Sequence, residues 1–180
     1  NPISPYGASK LAAESEVAKF LQVSDNYGTS LRFFNVVGTA APELLDNSIE
    51  NLVPIVINHL KANKPPVIYG TDYPTPDGTC IRDYVDVRDV ARSHLAAADS
   101  GVNLPLAINI GTNEGTSVRK VIDLVCQTAS KYDLIPIETE RRTGDPAYLC
   151  ADSSLSEYSL SFKPIITLES SIQSLGIKCD

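Results

Sequence analysis

Two hydrophobic periods alternate along this sequence. Ser4 followed by Pro5 reads as an N-cap and a first-turn proline, opening a helix whose apolar positions Leu11, Ala12, Val17 and Leu21 recur near helical spacing. Asn26 and Gly28 end it. Residues 29–37 (TSLRFFNVV) are β-branched and aromatic, which predicts one buried strand bounded by Gly38. A helix is expected over 51–62, then strands over 67–69 and 79–87, separated by the turn-rich residues 72–78. A helix over 87–99 would place Val90, Ala91, His94, Leu95 and Ala98 on one face, with Gly101 just past its end. Residues 106–110 read as an apolar strand. After Ser117, a capping residue, Val118, Val121, Ile122, Val125 and Ala129 give the clearest 3-and-4 spacing in the chain. Short strands over 135–140 and 148–151 and short helices over 155–160 and 168–175 complete an α/β pattern.

The 180 residues carry 15 Lys and Arg against 22 Asp and Glu, a net charge of −7. That balance excludes a nucleic-acid arm and an anionic-membrane patch, both of which need clustered cations. No apolar run approaches the length of a membrane span. The four cysteines form no C-x-x-C pair and no zinc pattern, which predicts reduced, packed thiols in a cytoplasmic protein. There is no Met, and the sequence opens Asn1-Pro2, so part of a longer polypeptide is expected.

Three constellations carry chemistry. Tyr6 and Lys10 are four apart on the first predicted helix and so share a face, where an ammonium beside a phenol favours the phenolate needed in a general base. Arg82 closes a strand, near Tyr69 and Tyr84 at turns, a set suited to an anionic, planar ligand. Arg141 and Arg142 beside Gly144 suit phosphate oxygens. Each has a plainer reading as a solvated helix face, hairpin or bend. Asp72 and Asp77 read as turn formers, and His59 and His94 as packed or solvent-facing helix residues.

Taken in order, these motifs resemble the C-terminal half of the UDP-glucose 4-epimerase family, within the extended short-chain dehydrogenases/reductases. They are Tyr6-x-x-x-Lys10, Arg32-Phe-Phe-Asn35, Glu50-Asn-Leu-Val-Pro54, the segment from Tyr69 to Arg82-Asp-Tyr84, Asn109-Ile-Gly111 with Ser117-Val118, and Arg141-Arg-x-Gly-Asp145. The resemblance implies the C-terminal part of a Rossmann-type NAD-binding fold with a small α/β substrate domain. Residues 1–48 and 85–112 would be the remnant of the nucleotide-binding domain, and 49–84 and 113–180 the sugar-nucleotide domain.

It implies NAD as cofactor and a UDP-sugar as substrate, epimerised at C4 through a 4-keto intermediate. Tyr6 would be the base, Lys10 would hold the nicotinamide ribose, and Phe33 stands where the family usually has Tyr beside the cofactor. Asn35, Asn51 and Leu52 match positions holding the UDP moiety, and Val67 and Tyr69 those flanking uracil. Arg82 and Arg142 would clamp the diphosphate, Asp145 would contact the ribose, and Tyr84 lies in the same wall. Leu149 falls where side-chain size helps decide whether N-acetylated sugars fit. Asp86 replaces a usual His and reads as a helix cap. The family's Gly-rich loop and its catalytic Ser or Thr are not in the sequence, so this chain alone is expected not to turn over. Relatives pair as homodimers through the Tyr-x-x-x-Lys helix. Uronate 4-epimerases, nucleotide-sugar dehydratases and a non-catalytic sugar-nucleotide-binding module are the alternatives.

Overall fold

The computed structural model describes residues 2, 4–23, 26–101 and 103–179. Helix α1 spans Pro5–Gln22, and the Ser4 hydroxyl accepts the Gly7 N–H at 3.1 Å as its cap. It buries none of its side chains, and Leu11 and Phe20 face outward. The strand expected over 29–37 divides at Phe34 into β1 (Ser30–Phe33) and β2 (Asn35–Val37). The reason is a change of neighbour. β1 pairs in parallel with β5 (Ala107–Ile110), whereas β2 pairs in parallel with β4 (Ile81–Asp86), Asn35 lying opposite Tyr84.

Helix α2 (Leu52–Lys61) follows Asn51, and β3 (Val67–Tyr69) pairs in parallel with β7 (Ile137–Thr139). After β4 come helix α3 (Val87–Ala98), β5 and β6 (Gly115–Ser117). The sequence gives no strand signal at β6, whose three small residues extend because they meet Ile81, Arg82 and Asp83 of β4 in antiparallel register. The short β8 (Tyr148–Leu149) pairs with the other edge of β4, setting Leu149 opposite Arg82. Helices α4 (Val118–Thr128), α5 (Ser154–Leu160) and α6 (Leu168–Ser174) complete the chain, together with a 3₁₀ turn at Pro42–Leu44.

Two clusters form the core. Val53, Val56 and Leu60 of α2 pack with Val121, Ile122 and Val125 of α4, Ile172 of α6 and Ile68 of β3. The face expected on α4 is therefore the one buried, and a fully buried aliphatic side chain of this kind contributes about 1.5–3 kcal/mol. Ile108 and Ile110 of β5 pack with Leu160 and Phe162. Helix α3 departs from expectation. It buries Asp89 and Ser93 and leaves His94 and Leu95 exposed, because the Asp89 carboxylate accepts the N–H groups of Ile165 and Ile166, each at 2.9 Å. Tertiary polar contacts here override the apolar stripe.

Asp86 caps α3, as the sequence suggests: Oδ1 accepts Arg88 N–H at 2.8 Å, and Oδ2 accepts the Ser171 hydroxyl at 2.6 Å. Burial raises the Asp86 pKa, but hydrogen bonds from Arg88 and Ser171 outweigh it and hold the carboxyl below the ordinary value of 3.8. A depressed folded pKa means that the stability it contributes is complete above the ordinary value and is lost as pH falls through the folded one. Asp86→Asn is thus expected to destabilise by about 1 kcal/mol at neutral pH. Denaturant titrations at stepped pH should show this gap closing below about pH 4.

All four cysteines are free thiols in the described structure. No helix among the described residues is long and apolar enough to cross a membrane.

Candidate functional site

Strand β4 is the spine of the site. Arg82 is buried between β6 and β8, where its Nη2 donates to Asp145 at 3.0 Å and its Nη1 to the Ile81 carbonyl at 2.7 Å. Two residues on, Tyr84 is buried against β2; burial pushes its phenol up to about 12, against the lowering hydrogen bond with Asn35. Tyr84 is therefore a neutral hydrogen-bonding group and not a base.

The 140–145 loop faces this strand. The Arg142 guanidinium lies 4.2 Å from the Tyr69 ring centroid, a stacking that leaves its N–H edge free for oxygen acceptors. Arg141 turns the other way, 4.2 Å from the Tyr73 ring, and donates from Nε to Asp72 at 2.6 Å. Between them Gly70 has φ +83°, and a Cβ there would lie 2.6 Å from Arg141 Cγ and from Tyr73 Cε2. Only glycine permits this close packing, which fixes where Tyr69 and its guanidinium partner sit.

These side chains line a cavity of about 180 Å³, with Leu52, Val67, Tyr69, Arg82, Tyr84, Arg142 and Asp145 all on its wall. Asn35, Glu50, Leu52 and Tyr84 also line a larger cavity of about 930 Å³ that contains Tyr6, Phe33, Asn51 and Leu149. Tyr6 and Phe33 continue into a third, of about 730 Å³, which Lys10 lines. The sequence-predicted residues thus line three cavities, each of which shares wall residues with the next.

Local contacts set the two ends of the large cavity. The Asn51 amide donates to Asp46 at 2.7 Å, and this bond is the first cause holding the Asp46 carboxyl below its ordinary range. At the other end Arg32 of β1 donates from Nε to Glu14 Oε1 at 2.7 Å and from Nη2 to Glu14 Oε2 at 2.5 Å. This forked pair ties α1 to β1 and sets Tyr6 and Lys10 beside Phe33. Tyr6 is 71% exposed, open to a ligand in the cleft, and Lys10 Nζ lies 5.3 Å from its ring centroid.

Two residues were missed by sequence reasoning. Glu50 lines both the small and the large cavity; it opens the Glu50-Asn-Leu-Val-Pro54 motif, but nothing in the sequence marked it with a role of its own. Asp83 is fully buried and accepts from the N–H groups of Thr112, Asn113 and Ala151, the Thr112 hydroxyl and the Cys150 thiol. It binds β4 to the turn after β5 and to the segment after β8, next to Leu149. The approach is close enough that a Cβ on Gly111 would sit 2.7 Å from Asp83 Oδ2.

Residues 1–111 match the NAD dependent epimerase/dehydratase family. A curated UDP-glucose 4-epimerase from Corynebacterium glutamicum is 31% identical over 166 residues, covering 91% of this chain and 50% of that protein. The crystal structure of UDP-glucose-4-epimerase from Stenotrophomonas maltophila with bound NAD and formylated UDP-arabinopyranose aligns at TM-score 0.84 and 32% identity, over 96% of this chain and 54% of that one. The Bifidobacterium longum UDP-glucose 4-epimerase in complex with NAD+ and UDP aligns at TM-score 0.81 and 35% identity, over 96% and 53% respectively. The chain spans about half the length of the curated relatives it matches.

Proposed function

Because the chain belongs to the NAD dependent epimerase/dehydratase family, we propose that it forms the sugar-nucleotide wall and carries the general base of an NAD-dependent 4-epimerase of UDP-glucose and UDP-galactose. Its α/β architecture matches part of the Rossmann-type extended short-chain dehydrogenase/reductase fold of the UDP-glucose 4-epimerase structures. Within it, residues 1–48 and 85–112 are read as belonging to the nucleotide-binding domain and the remainder to the substrate domain. What supports the activity is the shared wall: Asn35, Glu50, Leu52 and Tyr84 line both the small cavity that holds the two arginines and the large one that holds Tyr6.

In this reading uracil lies between Val67 and Tyr69, and Asp145 contacts the ribose. Arg82 spends part of its guanidinium on Asp145 and Ile81 and keeps the rest for the diphosphate, which Arg142 meets from the opposite side. Asn35, Asn51 and Leu52 line the path from the diphosphate to the large cavity. The sugar there reaches Tyr6, and Leu149 bounds the space for substituents on it. In this reading the whole enzyme pairs as a homodimer through α1, whose Leu11 and Phe20 are exposed.

The groups around Tyr6 fit the nicotinamide-ribose end of NAD: an ammonium for ribose hydroxyls and, in Phe33, a flat apolar wall without a hydroxyl. NAD, when bound, supplies the hydride acceptor and donor for sugar C4. Tyr6, as the phenolate that Lys10 stabilises, takes the proton of the 4-hydroxyl and, as the neutral phenol, later returns it.

Arg142→Ala is expected to weaken UDP binding by about 10- to 100-fold, the worth of a charge-assisted hydrogen bond to a phosphate. Isothermal titration calorimetry on the chain reads this directly. UDP affinity equal to that of the unsubstituted chain would remove Arg142 from the site.

A further inference from the structure

We infer that Glu50 is a specificity-determining residue whose carboxylate admits an uncharged UDP-linked sugar and disfavours one that bears a carboxylate. The inference rests on reading the cleft as a UDP-sugar site and narrows its substrate class. Glu50 belongs to both cavities, together with Asn35, Leu52 and Tyr84, so it stands at the neck where a sugar joined to a diphosphate enters the larger space.

The charges on either side of this neck differ. The smaller cavity holds Arg82 and Arg142, both suited to phosphate oxygens. Among the described residues lining the larger one, Arg32 is the only cation, and Glu14 already occupies its guanidinium in a forked pair. Glu50 joins none of the ion pairs among the described residues and is exposed. Its oxygens are therefore free to accept hydrogen bonds from sugar hydroxyls. A sugar carboxylate entering the same space offers no donor there, meets a like charge and finds no unpaired arginine to offset it. A rim of one sign discriminates mainly by repulsion of the wrong ligand.

The test is calorimetric titration of the full chain with UDP, UDP-glucose and UDP-glucuronate at low salt. UDP-glucuronate is expected to bind about tenfold more weakly than UDP-glucose, the order for like charges a few ångströms apart in a partly solvated cleft. Glu50→Gln should close that gap, Glu50→Asp should keep it, and raising salt should narrow it in the unsubstituted chain. Equal binding of the two sugars by the unsubstituted chain, or a gap that survives Glu50→Gln, overturns the role of Glu50 while leaving the UDP site standing. Failure to bind UDP and UDP-glucose at all overturns the reading of the cleft, and the role of Glu50 with it.

Discussion

Tyr6→Phe is expected to lower 4-epimerisation of UDP-galactose by about 10³ in an enzyme that joins this wall to a dinucleotide-binding half, because general-base proton transfer contributes roughly 10²–10⁴. UDP affinity should not change, since Tyr6 lies in the large cavity and outside the small one that holds both arginines. Tyr84 cannot substitute as the base: burial pushes its phenol up to about 12. Rates of UDP-glucose formation and UDP affinities, measured side by side, separate chemistry from binding. Near-normal turnover by the variant would remove Tyr6 from the role of base.

The second large effect is structural. Asp83→Ala deletes a fully buried carboxylate that accepts from the N–H groups of Thr112, Asn113 and Ala151. A buried donor left without a partner costs about 1–3 kcal/mol, which applies in full to the Ala151 N–H and in part to the half-buried bonds of Thr112 and Asn113, so a loss of roughly 2–3 kcal/mol is expected in denaturant unfolding. Asp83→Asn keeps the shape but turns an N–H₂ toward N–H donors, and should fall between the two. A loss below about 1 kcal/mol for Asp83→Ala would mean that the turn after β5 and the segment after β8 are held by other contacts.

The sequence carried the local features of this protein and missed those that depend on distant partners. Helix α4 was readable because its apolar spacing and its Ser117 cap are both local, and the hydroxyl does accept the Lys120 N–H, at 3.2 Å. The cleft was readable because its members lie in motifs whose order is informative even without coordinates. The break at Phe34 was hidden, because it follows from β1 and β2 having different neighbours. Strand β6 was hidden for a related reason, being three small residues that β4 holds extended. On α3 the apolar stripe misled, since a buried Asp89 that accepts two backbone N–H groups outranks Leu95 in choosing the inward face. Asp83 reads as an ordinary charge beside Arg82 until the turn at Thr112 folds onto it. Glu50 gains meaning only where the two cavities meet.

In the proposed function the cavity between β3, β4 and the 140–145 loop holds the diphosphate of a UDP-sugar. Calorimetric titration of the chain with UDP and, separately, with uridine tests it most directly. One UDP per chain is expected, bound at least about 100-fold more tightly than uridine, because two guanidinium groups would contact only the former. Equal binding of UDP and uridine, or no binding of UDP, would contradict it.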